Sequence, residues 1–103
     1  MHTSVALIIA TYNWPQALEQ TLRSVANQTI LPNEVLIADD GSDERTANLI
    51  QKFKEAHPTL NIVHVWHEDN GFRLAAIRNN SISMAQSAYI IQIDGDIILD
   101  QHF

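Results

Sequence analysis

Four short apolar runs, Val5 to Ala10, Glu34 to Ala38, Leu60 to Trp66 and Ala88 to Ile93, leave this chain little choice of architecture. Each is rich in β-branched residues and nearly continuous in its apolar character. That is the pattern of a strand covered on both faces. Between the first two, Leu18, Leu22 and Val25 recur at helical spacing within Asn13 to Asn27; Asn13 stands where a cap is needed, Pro15 falls in the first turn and Gln16 lies three residues after Asn13. A second helix is expected from Asp43 to Glu55, with Ala47, Ile50 and Phe53 (or Leu49) inward and the His57-Pro58 break closing it. A third runs from Leu74 to about Ser87, its stripe of Leu74, Ile77, Met84 and Ala85 interrupted at Ser81. Strands alternating with helices, joined by right-handed crossovers, give an α/β fold with a mostly parallel sheet between helices.

At 103 residues the chain allows one small domain, with 46% hydrophobic residues to fill its core. Six basic against twelve acidic side chains leave a net charge of -6, which argues against a nucleic-acid footprint and gives no clustered cations for an anionic membrane. There is no cysteine, hence no disulfide framework, thiolate metal site or Cys nucleophile, and a reducing cytoplasm is the expected compartment. The apolar run behind Met1-His2-Thr3-Ser4 spans only six residues without a preceding Lys or Arg, so neither a signal peptide nor a transmembrane segment is expected there.

In an open parallel sheet, ligands gather at the carboxyl ends of the strands, where the strand order reverses. Those ends carry Thr11-Tyr12-Asn13, Asp39-Asp40-Gly41-Ser42, His67-Glu68-Asp69-Asn70-Gly71 and Asp94-Gly95-Asp96. Two carboxylates flanking Gly95 can share a hard divalent cation, Mn2+ or Mg2+, with phosphate completing its shell; the same tripeptide is also an ordinary turn. Of Asp39 and Asp40, one can cap the next helix while the other accepts hydrogen bonds from a base or a ribose. Tyr12 can lie flat on a base or serve as an amphipathic rim residue. Arg73 and Arg78 suit phosphate recognition, since the guanidinium fork matches phosphate oxygens. His64, His67, Glu68 and Asp69 lack metal-site spacing and read as structural, while Trp14 and Trp66 read as packing residues. An acidic pocket is a poor host for a diphosphate unless a cation reverses the local sign, so this reading requires the metal.

Four stretches, ALIIATYN (Ala6 to Asn13), EVLIADDGS (Glu34 to Ser42), NGFRLAAIRN (Asn70 to Asn79) and YIIQIDGD (Tyr89 to Asp96), together resemble the family 2 glycosyltransferases of the GT-A fold. NGFRLAAIRN is particularly similar to bacterial enzymes that build lipopolysaccharide or capsular polysaccharide. The resemblance implies a Rossmann-like front half of a GT-A domain that takes a UDP-sugar and passes the sugar, with inversion, to a saccharide or lipid-linked saccharide acceptor. Carried over by position, it puts Thr11, Tyr12 and Asn13 near the nucleotide, Tyr12 against the uracil, Asp40 on the uracil with Asp39 beside it, and Arg73 or Arg78 at the nucleotide or diphosphate. Asp94 would meet the ribose or sugar and, with Asp96, the Mn2+ or Mg2+. It also implies a reversal of strand order between the first and fourth strands, and a location in the cytoplasm, at the inner membrane in the full-length protein.

The apolar Ile97-Ile98-Leu99 follows the DxD motif closely and the chain stops at Phe103. Residues 1–103 are therefore expected to be the front part of a larger domain, binding donor without transferring sugar. Ile97, Ile98, Leu99 and Phe103 are expected to be exposed and to drive self-association. The competing assignment is a receiver-like signalling domain with an acidic metal pocket, although receivers carry an acid pair after the first strand, where this chain has Thr11-Tyr12-Asn13. With glycines only at 41, 71 and 95, neither a dinucleotide fingerprint nor a P-loop exists.

Overall fold

The computed structural model describes residues 4–103; Met1, His2 and Thr3, which precede the first apolar run, lie outside the described residues. Its elements alternate as expected: β1 (Val5–Thr11), α1 (Pro15–Ala26), β2 (Glu34–Asp39), α2 (Glu44–Ala56), β3 (Ile62–Trp66), α3 (Leu74–Met84) and β4 (Tyr89–Asp94). The four strands form one parallel sheet in the order β3-β2-β1-β4. The chain thus steps outward from β1 through β2 to β3, then crosses back to lay β4 on the other side of β1. The reversal implied by the resemblance falls at the β1/β4 boundary. This order also separates the fold from that of a receiver, in which β2 and β3 flank β1.

Alternate residues of β1 feed two cores. Leu7 and Ile9 pack with Leu18, Leu22 and Val25 of α1 and Ile50 and Phe53 of α2; Ala6 and Ile8 pack on the opposite face with Ile77 of α3 and Val65 of β3. β1 and β2 are covered on both faces, which explains their unbroken apolar runs.

The fourth strand departs from the expectation. β4 is an edge strand whose Ile91 and Ile93 touch the α1/α2 core while Tyr89 and Ile90 remain exposed. α3 packs mainly on β1, β2 and β3 and meets β4 through Arg78, at the carboxyl end of the strand. The helices also differ in detail. Asn13 does not cap α1: it adopts φ +45° and its Oδ1 accepts from Asp43 N at 2.8 Å, so it pins the start of α2 instead. α2 turns Thr46 inward where Ala47 was expected, because its first turn is set by Asp43, whose side chain accepts from Arg45 N. α3 stops at Met84, which is exposed, and Ser81, the expected interruption, is fully buried because its hydroxyl donates to Ile77 O at 2.9 Å. β3 begins at Ile62, leaving Leu60 as a buried plug before it.

Beyond β4 the chain turns back onto α1. Leu99 N donates to Ser24 Oγ at 3.0 Å and Gln28 Nε2 donates to Asp100 O at 2.6 Å. Leu99 is therefore half-buried against the core, contrary to its expected exposure, whereas Ile97, Ile98 and Phe103 are exposed as anticipated.

Candidate functional site

The carboxyl ends of β1 and β4 meet around Gly95. Ala10 is in register with Asp94, and Gly95 N donates to Ala10 O at 2.7 Å. A Cβ on Gly95 would stand 2.7 Å from that same carbonyl oxygen, so glycine is required here for the close approach of two backbones. The consequence is a cavity of about 210 Å³ lined by Ala10, Thr11, Tyr12, Trp14, Asp94, Gly95 and Asp96. It lies at the topological switch point, where parallel α/β sheets bind ligands. A larger apolar groove at the opposite end of β1, bounded by Val5, Leu31 and Phe103, carries no ionisable side chain.

Of the two arginines, Arg78 holds a residue of the cavity wall: its Nη2 donates to Asp94 Oδ1 at 2.7 Å. Its Nε is buried and has no hydrogen-bond partner among the described residues. Arg73 approaches through its backbone instead, its N–H donating to Asp40 Oδ2 at 3.0 Å. The Asp96 side chain makes no hydrogen bond or ion pair among the described residues. Trp14, expected in packing, is 56% exposed on the cavity wall, and Trp66 is 52% exposed while its Nε1 donates to Ser42 O at 3.1 Å.

The acid pair after β2 is turned inward. Asp39 is fully buried; its Oδ1 accepts from Ser42 N at 2.9 Å and its Oδ2 bonds His64 Nε2 at 2.7 Å. Neither it nor Asp40 caps α2, a role that belongs to Asp43. Asp40 is tied to β1, its N–H donating to Thr11 O at 3.1 Å, and its Oδ1 takes a 2.5 Å bond from His67 Nε2. His64 and His67, set aside in the sequence, thus sit on the two most buried carboxylates of the rim. The signal that finds them is positional: β2 ends at Asp39 with Asp40 next, β3 carries His64 at its centre and His67 just past its end, and parallel pairing lays these segments side by side.

The loop after β3 closes the arrangement. Tyr12 Oη donates to Asp69 Oδ2 at 2.8 Å, and this bond is the largest cause pushing the Tyr12 phenol above its ordinary 10.0. Asp69 in turn lies on Gly41, which has φ +88° and no room for a side chain. Asn13 N donates to Ser42 Oγ at 2.8 Å, completing a belt of contacts from β1 to the turn after β2. Thr11, Tyr12, Asn13, Asp40, Arg78, Asp94 and Asp96 therefore share one end of the sheet.

Asp94 and Asp96 offer two oxygen-donor side chains and no nitrogen or sulfur, the ligand chemistry of Mg2+ or Mn2+. Among the described residues no three His, Cys, Asp or Glu side chains converge on one point. Such a site fits an ion that draws its remaining ligands from water and from a bound phosphate.

The chain's relatives carry names consistent with this geometry. Hyaluronan synthase of Pasteurella multocida is 35% identical over 97 residues, which cover 93% of this chain and 10% of that protein. A mannosyltransferase from Pyrobaculum calidifontis, solved with GDP-Man and Mn2+, superposes with a TM-score of 0.82 at 25% identity over 93% of this chain and 28% of its own. S. aureus TarS in complex with UDP shares the fold, with a TM-score of 0.84 at 24% identity over 97% of this chain and 29% of its own. The chain thus spans a small part of each relative's length. No helix among the described residues is long and apolar enough to cross a membrane. The model of glycosyl transferase family 2 matches residues 6–103, a span that holds every rim residue described above, and this chain belongs to that family.

Proposed function

We propose that this chain is the donor-binding part of an inverting, metal-dependent glycosyltransferase that uses a UDP-sugar to extend a saccharide or lipid-linked saccharide in the assembly of cell-surface polysaccharide. The observation that carries the proposal is the meeting of Tyr12, Asp94 and Asp96 in one cavity at the strand-order reversal. A family relative is named a hyaluronan synthase, and a structural relative is solved with a nucleotide-sugar and Mn2+.

In this proposal Tyr12 supplies a flat face for the uracil, and Asp40 accepts from the base. Asp39 braces the turn that holds Asp40, and Thr11 and Asn13 fix the loop on which Tyr12 rides. Asp94 faces the ribose or sugar. Arg78, whose Nη2 donates to Asp94, would offer its guanidinium fork to a diphosphate oxygen. Asp94 and Asp96 would hold Mn2+ or Mg2+, which when bound offsets the negative charge of the diphosphate. The rim carboxylates are thereby assigned to binding, and the base that deprotonates the acceptor hydroxyl belongs to a part of the protein outside these residues. The chain alone binds donor and does not transfer sugar. Cytoplasmic location, at the inner membrane in the full-length protein, is part of the same proposal.

Calorimetry with UDP, GDP and CMP, each with and without Mn2+, tests it. UDP should bind most tightly, Mn2+ should strengthen it, and Asp96→Asn should abolish the Mn2+ effect with little loss of metal-free affinity. UDP binding indifferent to both metal and that substitution would remove Asp96 from the site; sugar transfer by the purified chain would refute the donor-only role.

A further inference from the structure

Asp40, proposed to accept from the base, carries a carboxylate that is almost wholly buried. A buried carboxylate is costly unless donors face its oxygens. Two donors do so from the loop after β3: the Arg73 backbone N–H on Oδ2 at 3.0 Å and the imidazole of His67 on Oδ1 at 2.5 Å. Because an ionised carboxylate only accepts, Nε2 must be the nitrogen that carries the proton in this contact. His67 is itself mostly buried, with 14% of its side chain exposed, so its ring is not free to swing away. One oxygen is thus held by a backbone N–H that side-chain truncation leaves in place, and the other by a side chain 27 residues distant in sequence.

We propose that His67 is a positioning residue for nucleobase recognition: its Nε2–H fixes the plane of the Asp40 carboxylate so that the lone pairs left over face a base that presents an N–H. The inference rests on the proposed role of Asp40 and adds a specificity determinant to it. A fixed acceptor favours uracil, which presents N3–H, over cytosine, whose N3 is itself an acceptor. A carboxylate held only by Arg73 N–H can rotate about that bond and discriminates less. His67 acts through Asp40 and touches no substrate.

The test measures UDP and CDP affinity by calorimetry, with Mn2+, for the wild-type chain, Asp40→Asn, His67→Ala and His67→Gln; binding of pyrophosphate with Mn2+ reports on the rest of the site. The expected result is that His67→Ala lowers UDP affinity about tenfold, the usual scale for a hydrogen bond to a charged group. It should also shrink the UDP-to-CDP ratio and leave pyrophosphate binding unchanged. His67→Gln, which keeps an N–H donor at similar reach, should restore the ratio even if His67→Ala folds poorly. Wild-type UDP affinity in Asp40→Asn would overturn the assigned role of Asp40 and this inference with it. A loss in Asp40→Asn, accompanied by unchanged or tighter UDP binding and an unchanged ratio in both His67 variants, would overturn the role of His67 alone.

Discussion

Gly41 and Gly71 both adopt left-handed backbone, at φ +88° and +81°, yet they stand in different surroundings. A Cβ at Gly71 meets nothing within 4 Å, whereas one at Gly41 would lie 2.4 Å from the backbone of Asp69. Gly71→Ala should therefore cost only the conformational penalty, about 1–2 kcal/mol. Gly41→Ala should cost clearly more, because the loop that carries His67 and Asp69 must be lifted off the turn. Urea unfolding of the two variants checks this, with the lower midpoint expected for Gly41→Ala; equal midpoints would show that the loop yields easily. These residues also mark what was readable locally. Acids, glycines and a tyrosine at strand ends were visible in the sequence, but the partners of Asp39 and Asp40 were not, because His64 and His67 lie 25 and 27 residues away and carry no metal-site spacing.

At the scale of elements, periodicity located all three helices and placed Ile50 and Phe53 of α2 inward, as observed, but chose Ala47 in the first turn. Thr46, not Ala47, faces the core, and its Oγ1 is buried with no hydrogen-bond partner among the described residues. An unpaired buried hydroxyl carries a desolvation cost that an isosteric methyl group does not. Thr46→Val should accordingly stabilise the chain by about 1 kcal/mol, read as a rise in the urea midpoint; a fall would mean that the hydroxyl has a partner in solution. The first-turn residue was hidden because Asp43 sets that turn and Asn13 reaches across to hold Asp43 N. The limits of β4 were close to those expected from its apolar run, but its one-sided burial was not: Ile90 and Ile91 look alike in sequence, while Ile91 packs against the helix layer and Ile90 is exposed.

For the whole molecule, the sheet order leaves β4 with an edge unpaired among the described residues, its Tyr89 and Ile90 exposed, and Ile98 and Phe103 after it are exposed as well. Apolar surface beside an open strand edge favours pairing with another copy. Concentration-dependent self-association is the expected outcome by light scattering, weakened by Ile90→Lys; a monomer at every concentration would count against it. Alternation of apolar runs with helical stripes determined the α/β class, the number of elements and the end of the sheet where polar loops collect, since each of those is a property of neighbouring residues along the chain. Tertiary structure alone decided that Arg78 rather than Arg73 reaches Asp94 with its side chain, that two histidines hold the acid pair, and that the tail returns to cover part of α1. Such pairings depend on which strands and loops are packed side by side, and that arrangement is set by burial summed over the whole core rather than by any local pattern.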